Sequence, residues 1–288
     1  MHCTKPPAER MVTFTTHCPN PNAHFISILS GLAILLSVAA APVTIVAEPT
    51  QAAAAYTSYI GAVESRLARQ RSSQSGFLAN PSTDPQAETR LRRGEFLLEE
   101  ITPASGTTMP GAMLHHWRGT AFVPGARAAD FERLMQDFNN YPQIYSPQVL
   151  QARILTKQGD HLQAKMRVRQ RHVLTVVMDT TYDITFGRLD PRHGYSISRS
   201  IQISEIDAPG TSAERPLKAS EEHGFLWRLN TYWSYEERDG GLYMQIESVT
   251  LTRSIPIGLG WAVTPFVESV PRESLEFTLR ATSSALHK

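Results

Sequence analysis

Two arginines stand out because each falls in phase with side chains that a fold would bury. Between Tyr195 and Glu205, the residues Tyr195, Ile197, Ile201 and Ile203 keep one parity, and Arg199 shares it. A guanidinium on a core-facing row must find a partner or line a wet cavity, because an unpaired buried charge is prohibitively costly. Its planar fork suits a ligand carbonyl or carboxylate, and the competing reading is a structural ion pair, with Glu247 as a candidate partner. In the segment from Leu242 to Arg253, Met244 and Ile246 share one parity, whereas Val249, Leu251 and Arg253 share the other. A bulge near Ser248 reconciles the two halves by shifting the register one residue. Arg253 then joins the inner row beside Ile255 and Trp261, near a rim loop built on Gly258 and Gly260. Tyr182 and the stripe Phe225, Trp227, Leu229, Trp233 and Tyr235 supply an aromatic lining suited to flat or greasy ligands. Phe138 closes a helix face that packs toward the same region. The ligand-binding set expected from the sequence is therefore Phe138, Tyr182, Arg199, Trp227, Arg253 and Trp261.

Other chemistry is not indicated. The sequence has no His-Glu-x-x-His, no Gly-x-Ser-x-Gly, no P-loop and no complete Gly-x-Gly-x-x-Gly, so no catalytic set, metal or cofactor is expected. His115 and His116 are adjacent on a strand and point to opposite faces, which makes a shared metal difficult. Asp179 and Asp183 share the outer face of their strand, opposite Tyr182. They are placed to pair with the basic row Lys165, Arg167, Arg169 and Arg171 rather than to act as an acid/base couple.

The chain has 288 residues, with 28 Lys plus Arg against 27 Asp plus Glu, a formal net charge of +1. A chain so nearly neutral lacks the electrostatic footprint of nucleic-acid binding. Residues 25–41 are uncharged, with Lys5 and Arg10 before them and Glu48 beyond, the pattern of a secretory signal or an N-terminal membrane anchor. Residues 1–47 are read as that address, with membrane association through it as one outcome, and the remainder as extracytoplasmic (periplasmic or secreted). Removing them leaves equal numbers of acidic and basic residues. Both cysteines, Cys3 and Cys18, precede the apolar run, so nothing after it can form a disulfide or a thiolate site.

Residues 48–93 read as a loose linker carrying one amphipathic helix, with Tyr59, Ile60, Val63 and Leu67 at helical spacing. From 94 to 288 the texture is that of one domain. Two strands, 94–101 and 113–123, precede a helix over 126–138, in which Phe131, Leu134, Met135 and Phe138 share a face. Segments with period two follow at 149–156, 162–171, 173–186, 195–205, 223–236 and 242–253, with hairpin turns at Gly159-Asp160, Asp190-Pro191 and Asp239-Gly240-Gly241. A helix from Arg272 to Leu286 closes the chain, with Pro271 suited to its first turn. Helices set to one side of an antiparallel sheet make an α+β domain.

The segment Asp137-Phe138-Asn139-Asn140-Tyr141-Pro142, followed by antiparallel strands and a terminal helix, resembles the START-like superfamily of lipid-transfer, coenzyme Q-binding and polyketide-cyclase domains. His115–Gly119, Phe225–Trp233, Leu251–Trp261 and Pro271–Thr282 resemble an exported bacterial branch of it whose activity is not settled. The resemblance implies a helix-grip fold, a curved antiparallel β-sheet wrapped around a long C-terminal α-helix, with an apolar cavity between them. It also implies a hydrophobic small-molecule ligand such as a lipid, isoprenoid quinone or polyketide. A cyclase or dehydratase, with Arg199 and either Tyr182 or Arg253 stabilising an enolate, is the enzymatic alternative. A non-catalytic envelope interaction module is the third. The sequence does not distinguish the three, and it is silent on oligomeric state.

Overall fold

The computed structural model describes residues 47–73, 76–79, 84–102, 109–171, 175–254 and 260–287, with side chains in the last stretch described from Ser269 onward. The apolar leader lies outside these residues, as do Ile255 and Gly258, and the Trp261 side chain is not described. Among the described residues no helix is long and apolar enough to cross a membrane.

In chain order the elements are α1 (Thr50–Arg71), α2 (Ala87–Arg92), β1 (Leu97–Glu100), β2 (Ala112–Pro124), α3 (Ala128–Gln136), a 3-10 turn (Phe138–Asn140), α4 (Tyr141–Ile144), β3 (Val149–Gln158), β4 (His161–Arg171), β5 (Thr175–Arg188), β6 (His193–Asp207), β7 (Arg215–Pro216), β8 (Arg228–Arg238), β9 (Gly241–Arg253) and α5 (Gly260–Leu286). The strands form one nine-stranded sheet ordered β1-β2-β9-β8-β6-β5-β4-β3, with β7 paired to β6. Every pairing is antiparallel. The sheet is curved and carries α5 as the helix of a helix-grip architecture. The β8–β9 hairpin turns on Asp239 and Gly240, both at positive φ, the conformation a tight two-residue hairpin requires.

Two helices cover opposite faces of this sheet. On the inner face, α5 and α3 pack against β2, β8 and β9 through Phe131, Leu134, Leu275 and Leu279, which meet Ala121, Val123, Trp233, Tyr235, Met244 and Ile246. Gly119 is a glycine for this reason: a Cβ there would lie 2.5 Å from the Leu279 side chain and 3.2 Å from that of Leu275. The terminal helix is longer than the spacing predicts. It begins at Gly260 rather than near Arg272, so Pro271 lies within it.

Helices set to one side of the sheet would leave the other face wet, but over its middle strands the outer face is covered. Helix α1 buries Ala52, Tyr56, Ile60, Val63 and Leu67 against Tyr232, Val249 and Leu251. The 48–93 stretch, read as a loose linker, is therefore part of the fold, and one compact unit runs from Pro42 to Lys288. The periodicity that identified the helix already contained its burial, because an apolar stripe at i, i+4 and i+7 must meet a surface. Leu67→Ala should lower the denaturant midpoint at unchanged slope, by about 2–5 kcal/mol of stability. An unshifted midpoint would mean that α1 is only loosely attached.

Candidate functional site

The sheet register decides which side chains α1 meets and which face α5. Gly119, facing Leu275 and Leu279, pairs with Ile246, which pairs with Trp233, which pairs with Ser196. The inner face is thus carried by the odd positions of β2 and β8 and the even positions of β9. No shift interrupts β9 against either neighbour, so the bulge expected near Ser248 is absent. Its two parities are two buried faces: Met244 and Ile246 turn to α5, while Val249 and Leu251, both 0% exposed, turn to α1. The irregularity lies in β6 instead. Opposite Thr181 and Tyr182 the register skips Ile201, which is 52% exposed. Tyr195, Ile197 and Arg199 before the skip face outward, and Ile203 after it faces inward, paired with Thr180.

On the outer face Arg199 grips Glu64 of α1 through Nε and Nη2 at 2.7 and 2.8 Å. The Tyr232 hydroxyl donates to the same carboxylate at 3.1 Å. The candidate partner Glu247 serves another cluster. It is 1% exposed and accepts hydrogen bonds from Arg118 at 2.9 and 3.0 Å, with Arg66 of α1 closing on its second oxygen. His116 Nε2 lies 3.0 Å from that oxygen, and its Nδ1 lies 2.8 Å from the Tyr59 hydroxyl. Burial pushes the Glu247 carboxyl up, but the hydrogen bonds from His116 and Arg66 and the charge of Arg118 outweigh it and hold the group down at about 2. Burial also pushes His116 below its usual value. Arg71 stacks over Tyr195 at 4.0 Å.

The inner face has a different texture. One row across β6, β8, β9 and β2 reads Ser198, Thr231, Ser248, Trp117, and its neighbour on β8, β9 and β2 reads Leu229, Thr250, His115. All but the buried His115 are half-buried, unlike the sealed positions behind them. Trp117 Nε1 and Thr250 Oγ1 are buried atoms that find no hydrogen-bond partner among the described residues. Farther round the curve Tyr182 packs with Phe138, Tyr141, Leu162, Ala164 and Ile184, joined by Phe277 and Ala281 of α5. Burial pushes the Tyr182 phenol up to about 12. The Tyr145 hydroxyl lies 3.0 Å from that of Thr282.

With both faces assigned, the comparisons can be set beside the geometry. No family model and no curated protein matches the sequence. The chain is similar to solved START-like structures. One is a STAR-related lipid transfer protein fragment from Xanthomonas axonopodis, at 17% identity over 66% of this chain and 99% of that one, with a TM-score of 0.43. Another is the Zhui aromatase/cyclase from Streptomyces sp. R1128, at 14% identity over 60% and 94%, with a TM-score of 0.42. A third is a START superfamily protein from Mycobacterium smegmatis, at 15% identity over 60% and 97%, with a TM-score of 0.39.

Of the expected ligand-binding residues, the structure brings together Phe138 and Tyr182, on the inner face. Arg199 is placed on the outer face and paired with Glu64. Trp227 packs in the cluster under α1. Arg253 has outer parity and donates to the His223 carbonyl at 3.1 Å. The arginine inference failed because one bulge was set on the wrong strand. Sequence reasoning passed over Ser198, Thr231, Ser248 and Thr250, although their alternation with Arg199, Tyr232 and Val249 was readable. Of the two outer carboxylates, Asp179 pairs with the basic row, accepting from Arg167 at 2.7 Å with Lys165 at 2.9 Å, whereas Asp183 meets His161 instead, at 2.5 Å. His115 and His116 do face opposite ways, and no group of potential metal ligands gathers among the described residues.

The depressed Glu247 carboxyl has a testable consequence. Its value in the unfolded chain is near 4.5, so its contribution is full above that pH and is lost as pH falls toward 2. Unfolding free energy should drop by about 3 kcal/mol across that window. Glu247→Gln should flatten this acid limb in urea titrations, and an unchanged limb would remove Glu247 as its source.

Proposed function

We propose that this domain binds and carries a hydrophobic small molecule between the curved sheet and α5, in an extracytoplasmic setting. One observation carries the reading. In the middle strands the side toward α1 is sealed, whereas the side toward α5, where a core would be expected, keeps Ser198, Leu229, Thr231, Ser248, Thr250 and Trp117 half-buried. A face that is neither packed nor open is what a ligand-sized concavity produces. Beside it stands a packed aromatic and aliphatic wall: Phe138, Tyr182, Ile184, Trp233 and Ile246. Because α5 passes from Ala281 beside that wall to Ser274, 3.3 Å from Gln170, its N-terminal half continues toward the open rows.

The enzymatic alternative loses its best-placed cations. Arg199 and Arg253 lie on the opposite face from these rows, so neither reaches an enolate held there. Support for the location comes from the uncharged run at 25–41, preceded by Lys5 and Arg10. That segment also offers a route to membrane attachment.

Native mass spectrometry of the full chain, with lipid extraction, should reveal a co-purifying apolar molecule. Nile red should enter the wild-type protein, and Ser248→Phe, which fills the inner row, should reduce its affinity by about tenfold or more with unchanged circular dichroism. Ligand-free protein that excludes Nile red would overturn the reading. Recovery of the chain in the cytosolic fraction would overturn the location alone.

A further inference from the structure

The open rows also constrain the ligand's chemistry. We infer that the preferred ligand is an uncharged amphiphile whose oxygens accept hydrogen bonds from Trp117 and Thr250, not a fatty acid or an anionic phospholipid. This rests on the reading above and narrows it.

Three observations converge. First, the indole Nε1 of Trp117 can only donate, and it is buried without a partner among the described residues. A buried donor left unpaired costs the full desolvation of that group, so an acceptor oxygen placed there recovers it. Second, Thr250 Oγ1 is in the same condition on the neighbouring strand. Trp117 pairs with Ser248, two positions before Thr250, so the two groups are diagonal neighbours on one face, with side-chain origins about 7 Å apart. That separation suits two oxygens of one head group, such as a glycerol or a ring bearing two carbonyls. The half-buried hydroxyls of Ser198, Thr231 and Ser248 continue the row, each able to donate or accept.

Third, the site has no cation for an acid. At the open rows no Lys or Arg occupies an inner position of β2, β6, β8 or β9, and Arg188, at inner parity at the far end of β5, is paired with Glu132 of α3. The acidic group nearby is Glu205, 3% exposed and on the inner parity, opposite Met178. It accepts hydrogen bonds from the backbone of His223 and Phe225 and lies 2.7 Å from His223 Nδ1. The arginines that a carboxylate or phosphate would seek are on the outer face, committed to Glu64 and Glu247. An anion would have to shed its hydration without compensation, whereas a neutral hydroxyl or carbonyl finds donors in place.

The test compares two probes with the same tail, 1-monooleoylglycerol and oleate, as competitors for Nile red on the full chain. Monooleoylglycerol should bind at least about tenfold tighter than oleate at neutral pH. Thr250→Val keeps shape, Trp117→Phe keeps an aromatic ring in place of the indole, and each removes one hydrogen-bonding group. Each should weaken monooleoylglycerol by about fivefold and leave Nile red affinity, which reports on the intact pocket, unchanged. Oleate binding as tightly as monooleoylglycerol, or variants indistinguishable from wild type, would overturn the inference while leaving hydrophobic binding intact. Failure of Nile red itself to bind would overturn the underlying reading instead.

Discussion

A carboxylate buried in the middle of a strand cannot be left to itself, and much of this molecule is arranged around that requirement. Glu247 sits on β9 with 1% of its surface exposed, and taking an ion of this kind out of water costs several kcal/mol unless partners replace the solvent. Arg118 and His116 come from the adjacent strand β2, at positions fixed by the ladder. Arg66 comes from α1, more than 180 residues earlier in the chain. Arg118 and His116 thus meet both oxygens from within the sheet, and docking of α1 adds the Arg66 guanidinium to the second. Glu64, two residues before Arg66 on the same helix, binds Arg199 and Tyr232. These ion pairs fix the register of α1 along the sheet, since a slip of one turn would part the buried Glu247 from Arg66 and the part-exposed Arg199 from Glu64.

That arrangement fixes what the inner face can contain. In the middle of β2, β6 and β9 the charged side chains Arg118, Arg199 and Glu247 are drawn to the α1 side, where each has a partner. Alternation then assigns their neighbours to the α5 side, and these are Ser198, Thr231, Ser248 and Thr250, small and uncharged. Small side chains in front of a helix leave room, and hydroxyls in that room make it polar without making it ionic. The packed end of the same face, with Trp233, Tyr235 and Phe131, supplies the rigidity such a space needs. The two faces are thus complementary: one holds the helix that completes the fold, and the other is free to hold something else.

Much of the architecture was legible because it depends on local pattern. The strands β2 to β6, β8 and β9 announced themselves by period two and by the turns between them, and α1 and α3 by period 3.6. The face assignment was less legible, because a strand covered on both sides has no single apolar parity. Val249 and Leu251 read as a register error when they are the sign of a second layer. Arg199 was misplaced for the converse reason. Ile201, an exposed bulge residue, was counted as part of the buried row and carried Arg199 with it. The serines and threonines were overlooked because hydroxyls on a strand usually mean solvent. Nothing local marks them as lining, and their meaning appears only once α1 occupies the other side.

The same division bears on whether this fold holds a molecule or transforms it. Acid/base chemistry at neutral pH needs a group poised near 7, and electrostatic catalysis needs a charge or a dipole aimed at the reacting atom. The inner phenols Tyr145, Tyr182 and Tyr235 are each pushed up to about 12 by burial and stay neutral. His116, the histidine pushed below its usual value, faces α1 and bonds Tyr59 and Glu247. Toward α5 the open rows present hydroxyls and the Trp117 indole N–H, with His115 beside them and Glu205 on the same face. Interactions that hold ground state and transition state alike raise affinity without raising turnover, and that is the part these hydroxyls play in the ligand-carrying reading proposed above.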